Sequence, residues 1–156
     1  GKNDPAHPTA LTPNLDKLAA QGVLFSSAHC AAPLCNPART AIMTGRRPSS
    51  TGVYDNNQPY PTAPALAGAV TLNQHFKNNG YVTMTRGKIY HGTVGQYTDM
   101  KGWDDIGPMK GDYRLPGPKP LAGAAGNANF DFGATVGGDE EMNDYHVVDW
   151  IGSQFQ

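Results

Sequence analysis

Two stretches of the chain repeat one order of elements, a helix followed by a strand, and this limits the possible folds more than any other feature. In residues 12–25, a helix that Gly22 ends leads into a short apolar strand at 23–25. In residues 71–85, a helix that Gly80 ends leads into a β-prone run. This order predicts an α/β fold with a largely parallel sheet flanked by helices.

The segment between these two stretches contains a cysteine two residues before a proline. Pro37 suits the first turn of a helix, because its missing N–H is not needed there. The spacing then predicts that Cys35 lies just outside the helix N-terminus, where unpaired N–H groups favour negative charge. The apolar residues Ala38, Ala41 and Ile42 have helical spacing, so we expect them to form the buried side.

Arg39 follows one turn after Cys35 and offers a fork of donors suited to an oxyanion. A reactive side chain beside such a helix start suits chemistry on a sulfate or phosphate group. On spacing alone, however, a cysteine near a helix start is more often a small buried hydrophobic residue.

Lys88 and His91 come directly after the second predicted strand. Ligands of open α/β sheets gather at the carboxyl ends of the strands, so this is a natural position for an active site. Lysine can neutralise an oxyanion, and histidine can transfer a proton near neutral pH. By spacing alone the pair is weak evidence, and a surface loop is the more common explanation.

The segment 35–48 resembles the signature of type I sulfatases, in the branch of iduronate-2-sulfatase and choline-sulfatase-like enzymes. Three further blocks follow the order of that family, namely residues 12–19, 53–56 and 79–92. The resemblance covers roughly residues 12–103 and implies a partial alkaline-phosphatase-like sulfatase domain. Residues 1–156 would then be an incomplete N-terminal part of the catalytic domain. Two residues depart from what is commoner in the family. At Asn36 the family more often has a small residue or threonine, and at Ala38 it more often has serine.

The resemblance also implies a chemistry. Cys35 would be oxidised by a formylglycine-generating enzyme to formylglycine, whose hydrate attacks sulfur, releases the alcohol and then expels sulfate. Arg39 would steady the hydrate, Lys88 would neutralise the sulfate oxygens, and His91 would hydrogen-bond the hydrate. Lys88 and His91 would thus bind the substrate as well as act in catalysis.

A divalent cation, Ca²⁺ or Mg²⁺, is the cofactor that the resemblance implies besides formylglycine. Cys35, as formylglycine, would be its one ligand in this chain. The resemblance puts the other ligands in segments before residue 1 and beyond residue 156. The remainder of a sulfatase chain is therefore an expected partner.

Composition excludes some classes of function. The formal net charge is −1, which does not suit a general nucleic-acid binder. No apolar run is long enough to span a bilayer.

Glycine and proline make up about a fifth of the residues and are frequent in 92–138, which predicts a long loop there. A final helix is predicted to begin at 139–141, and Cys30 is expected to be a buried thiol.

Three functions remain open at this stage. The first is hydrolysis of a sulfate ester, with sulfated carbohydrates among the candidate substrates. The second is hydrolysis of a phosphomonoester or phosphonate by an enzyme of the same superfamily. The third is a non-catalytic module in which Cys35 stays a thiol and an oxyanion is merely bound. The resemblance implies a periplasmic, secreted or lysosomal location.

Overall fold

The computed structural model describes residues 11–92, 97–107 and 137–156 and divides the chain into two units, Gly1–Cys30 and Ala31–Gln156. The first unit contains helix α1 (Pro13–Gln21). Proline occupies its first position, and the N–H of Gly22 donates to the carbonyl of Leu18 at 3.1 Å. The start and end predicted for this helix are therefore confirmed.

The strand predicted at residues 23–25 is wrong. Val23, Leu24 and Phe25 have no strand geometry, and each is more than 70% exposed. A strand needs a neighbour to take its backbone hydrogen bonds, and the described part of this unit contains no second strand. The buried thiol expected at Cys30 is also wrong, because this residue is exposed.

The described residues of the second unit form four further helices and two strands. In chain order these are α2 (Cys35–Thr44), α3 (Pro48–Thr51), α4 (Leu72–Asn78), β1 (Met84–Thr85), β2 (Asp105–Ile106) and α5 (Asn143–Ser153). Short 3-10 turns lie at Tyr60–Thr62, Pro64–Leu66, Met100–Gly102 and Asp139–Glu141. The last helix thus begins two residues after the acidic run that was predicted to open it.

The two strands pair in parallel, with Met84 opposite Asp105 and Thr85 opposite Ile106. Helices together with this small parallel sheet confirm the predicted α/β class. Strand β2 lies within the loop predicted at 92–138, so that prediction is wrong at residues 105–106. The rest of the predicted loop lies largely outside the described residues, at 93–96 and 108–136.

The hydrophobic core of the second unit lies against α2 and the segments that follow α3 and β1. Its buried members are Met43, Val53, Tyr60, Leu66, Tyr90 and Tyr97. Trp103 packs against this cluster from the turn before β2. The core therefore packs helix α2, which contains the signature residues, against the segment that contains Lys88 and His91.

The buried side of α2 differs from the prediction. Asn36, Pro37, Thr40 and Met43 are buried, whereas Ile42 is 69% exposed. These buried residues also have helical spacing, but two of them are polar. Hydrophobicity alone selects the wrong side. Asn36 is buried because its side-chain nitrogen donates to the carbonyls of Asp55 and Gln58, whereas Thr40 is buried although its Oγ1 has no hydrogen-bond partner among the described residues. Among the described residues, no helix is both long and apolar enough to cross a bilayer.

Candidate active site

Cys35 is the first residue of α2, one position further into the helix than predicted. Leu34, in an extended conformation, precedes it as the N-cap, and Pro37 is the third helical residue. A proline is tolerated here because the first four N–H groups of a helix have no partner within it. Cys35 is half-buried, so its side chain can meet both solvent and the adjoining segments.

Hydrogen bonds of Asn36 connect the start of α2 to the segment that follows α3. Its backbone N–H donates to Oδ1 of Asn56 at 3.0 Å. Its side-chain nitrogen donates to the carbonyls of Asp55 and Gln58 at 2.9 and 2.6 Å. Asn36, one of the two residues that depart from the commoner sulfatase pattern, is thus buried and links two segments. No role was predicted for Asn36, although its place beside Cys35 and the matching block 53–56 were available signals.

Arg39 lies one turn after Cys35, and its guanidinium contacts backbone carbonyl groups. Its Nη1 donates to the carbonyl oxygen of Ile89 at 3.0 Å and to that of Lys88. Both contacts use one terminal nitrogen, and the guanidinium has three further N–H groups. Besides any contact with an oxyanion, Arg39 therefore holds the segment that contains Lys88.

Lys88 is brought next to Cys35 from a distant part of the sequence. Its Nζ lies 3.7 Å from the cysteine Sγ, although 53 residues separate the two. Lys88 is exposed, so an anion can approach its ammonium group from solvent. The arrangement places a positive charge directly beside the candidate nucleophile.

His91 is half-buried and packs against Tyr97. The two ring centroids are 5.2 Å apart and the planes are nearly perpendicular, at 84°. The buried Nδ1 of His91 has no hydrogen-bond partner in the described part of the chain. The Tyr97 hydroxyl donates to the carbonyl of Asn56 at 2.8 Å. Tyr97 thus connects His91 to the segment that holds Asn36, although nothing in the local sequence pattern marks this tyrosine.

Tyr90 anchors the backbone between Lys88 and His91. Its ring stacks on Tyr60, with centroids 5.1 Å apart and planes at 11°, and its hydroxyl donates to Asn73 at 3.3 Å. Burial raises the pKa of Tyr90 to about 12 and raises the pKa of Tyr60 as well. Both hydroxyls stay neutral at physiological pH, so the stack holds this segment without adding charge.

The described residues do not form a divalent cation site. Within 11–92, 97–107 and 137–156, no three His, Cys, Asp or Glu side chains come together as a ligand set. The Lys88 ammonium lies 3.7 Å from Cys35 Sγ, and its positive charge repels a cation. The expected role of Cys35 as a metal ligand stays a prediction.

Comparison with known proteins identifies the relatives of this chain. The family model described as Sulfatase matches residues 5–150. A protein named Sulfatase from Formosa agariphila is 38% identical over an alignment of 164 residues that covers 92% of this chain and 31% of that protein.

Two mammalian enzymes match shorter parts of the chain. Human iduronate 2-sulfatase is 40% identical over 89 residues, covering 56% of this chain and 16% of the human protein. N-acetylgalactosamine-6-sulfatase of the dog is 37% identical over 107 residues, covering 63% of this chain and 20% of the dog protein. The chain thus spans less than a third of the length of each of these relatives.

Proposed function

The chain belongs to the sulfatase family, and we propose that it supplies part of the active site of a sulfuric ester hydrolase whose nucleophile arises at Cys35. The observation that carries this proposal is the approach of Lys88 Nζ to Cys35 Sγ at 3.7 Å, at the start of α2. The positive end of the α2 helix dipole and the ammonium group together favour an anion at this point. A sulfate ester is such an anion.

The nucleophile in this proposal is formylglycine, the aldehyde formed by oxidation of Cys35. As its hydrate it supplies a hydroxyl that can attack sulfur. Lys88 neutralises charge on the sulfate oxygens. This interaction lowers the barrier because negative charge develops on those oxygens in the transition state. Arg39 keeps Lys88 in place through the carbonyls of residues 88 and 89.

His91 would serve as the group that exchanges a proton with the nucleophile. Its half-buried ring lies in the segment that Arg39 and Tyr90 hold, three residues after Lys88. A histidine suits this role because it can donate or accept a proton near neutral pH. Any Ca²⁺ or Mg²⁺ would have to be held mainly by residues outside the described part of the chain.

A sulfated carbohydrate is the substrate class that we favour. The names of two relatives specify a sugar, iduronate in one and N-acetylgalactosamine in the other. Transfer of this property to the chain is an inference from family membership. A location outside the cytoplasm, whether periplasmic, secreted or lysosomal, would suit such a substrate.

Peptide mass spectrometry across Cys35, on the whole protein from its native host, tests the nucleophile. The expected result is the mass of the aldehyde or its hydrate in place of the thiol, together with turnover of an aryl sulfate. Cys35→Ala should abolish that turnover, and Cys30→Ala, at an exposed cysteine, should preserve it.

A matched pair of aryl esters separates the alternatives in the same experiment. Faster turnover of the aryl phosphate than of the aryl sulfate would identify a phosphomonoesterase instead. An intact thiol in every copy, with sulfate still bound, would overturn catalysis and identify an oxyanion-binding module.

A further inference from the structure

We propose that Asn36, Asn56 and Tyr97 form a hydrogen-bonded chain that positions Cys35 relative to His91, so that Asn36 and Tyr97 are positioning residues for the reaction. This inference rests on the proposed function, because it specifies how the same site is held together. It concerns residues that do not themselves touch the reacting atoms.

The first link replaces a missing helix cap. Leu34 occupies the N-cap of α2 but has no side-chain oxygen to accept from the first N–H groups. Oδ1 of Asn56 accepts from the N–H of Asn36 instead, from 20 residues further along the chain. The residue next to the nucleophile thus takes its position from another segment.

The second link fixes the segment that supplies this cap. Asn36 is 2% exposed, and the two bonds of its side chain go to the carbonyls of Asp55 and Gln58. Oε1 of Gln58 accepts in turn from the N–H groups of Tyr54 and Asp55, at 2.7 and 3.1 Å. Residues 54–58 therefore form a small closed network, and a shift at Asn56 is transmitted to Asn36.

The third link reaches the histidine. The Tyr97 hydroxyl donates to the carbonyl of Asn56 at 2.8 Å, and the ring of Tyr97 packs edge-on against the imidazole of His91. Tyr97 is 7% exposed, and its ring lies 2.5 Å from the place where a Cβ on Gly92 would be, so the ring has little room to move. Since His91 Nδ1 has no hydrogen-bond partner among the described residues, this ring contact helps to orient the imidazole.

Two single variants of the whole enzyme test the chain of contacts, with an aryl sulfate as the substrate. Tyr97→Phe removes only the hydroxyl, and Asn36→Ala removes the bonds to residues 55 and 58. Each should lower kcat by about tenfold to a hundredfold, because small misplacements of a reacting group are costly, and leave KM within about twofold. Tyr81→Phe and Asn79→Ala are the matched controls, since both residues are exposed, and both should behave like the wild type.

Rates are expressed per formylglycine, measured by mass spectrometry for each variant, because Asn36 lies inside the signature. The double variant Asn36→Ala with Tyr97→Phe should lose no more than the more damaging single variant, since both substitutions loosen the same segment, residues 54–58. Fully multiplicative losses, or a kcat within about twofold of wild type in Tyr97→Phe, would overturn the proposal. A loss that disappears after correction for formylglycine content would overturn it as well.

Amide hydrogen exchange gives a readout that does not need activity. In Tyr97→Phe, the N–H of Asn36 should exchange faster than in Tyr81→Phe, because its acceptor on Asn56 is less firmly held. Unchanged exchange would contradict the chain of contacts, and this measurement remains decisive if Asn36→Ala fails to fold. A wild-type protein without turnover of any ester would overturn the proposed function, while the exchange result would still test the links.

Discussion

Arg39 donates through Nη1 to the carbonyl oxygen of Ile89 at 3.0 Å, across 50 residues of sequence. The same nitrogen also donates to the carbonyl of Lys88. The signature helix is therefore bonded to the segment that contains the two other candidate site residues. The position of the Lys88 ammonium beside Cys35 depends on this contact between side chain and backbone.

Arg39→Lys should weaken that connection. Lysine keeps the positive charge but cannot reproduce the planar fork of the guanidinium. We expect the free energy of unfolding to fall by about 1–3 kcal/mol, as for lost hydrogen bonds to a charged group. Urea unfolding of the whole protein measures this, with Arg47→Lys at an exposed position as the control. Equal stability of the two variants would contradict the structural role of Arg39.

Lys88→Met should reduce catalysis more than stability. The substitution keeps a long apolar stem and removes the ammonium that lies 3.7 Å from Cys35 Sγ. We expect kcat/KM for an aryl sulfate to fall by about 10²–10³, the usual effect of removing one group that stabilises the transition state. Lys101→Met, at another exposed lysine, should have little effect. A loss of less than about threefold in Lys88→Met would remove Lys88 from the proposed machinery.

Gly92→Ala and Gly80→Ala form a matched pair that tests the packing of Tyr97. Both glycines have a positive φ, +72° and +84°, so each substitution costs about 1–2 kcal/mol in the backbone. Only at Gly92 would the new Cβ meet the Tyr97 ring, at 2.5 Å. Gly92→Ala should therefore be less stable than Gly80→Ala by about a further 1–3 kcal/mol in urea unfolding. Equal losses would show that the ring can move aside.

Asp104 should contribute to the acid sensitivity of the protein. The Thr83 N–H donates to its carboxylate at 2.9 Å and Lys77 pairs with it at 2.9 Å, and the Thr83 contact is the main cause of a lowered pKa. A carboxyl whose pKa is lower in the folded state stabilises the fold above its unfolded pKa, near 3.8. That contribution is lost as the pH falls further, through the folded pKa.

Asp104→Asn should accordingly show a smaller loss of stability between about pH 6 and about pH 3 than the wild type does. Denaturant unfolding at the two pH values measures the difference. Asp105→Asn, at the exposed neighbouring position, is the control and should keep the wild-type dependence. An unchanged pH dependence in Asp104→Asn would contradict the assigned cause.

The elements predicted well are those that local chemistry specifies. Helix α1 ends before Gly22 as expected, and α4 begins after Thr71, whose N–H donates to the side chain of Gln74 at 3.3 Å. Gly80 follows α4 with the positive φ that only glycine adopts easily. Such signals act within a few residues, so the order of the amino acids is enough to place them.

The elements predicted poorly depend on neighbours that are distant in sequence. Residues 23–25 are apolar enough for a strand but lack a partner strand among the described residues of their unit. Strand β2 was missed because two residues in a glycine-rich region carry no periodic pattern, and only pairing with β1 makes them a strand. The buried side of α2 was misjudged because Asn36 and Thr40 are polar, and their burial depends on what packs against them.

The sequence alone was sufficient to identify the family signature, the candidate residues Cys35, Arg39, Lys88 and His91, and the α/β class, because motif and local propensity are properties of residue order. Tertiary structure alone brought Lys88 to Cys35, turned Arg39 toward the carbonyls of 88 and 89, and joined Asn36 to Tyr97 through Asn56. These contacts span 20 to 53 residues. Their geometry is set by where the intervening backbone lies in space, which spacing along the chain does not specify.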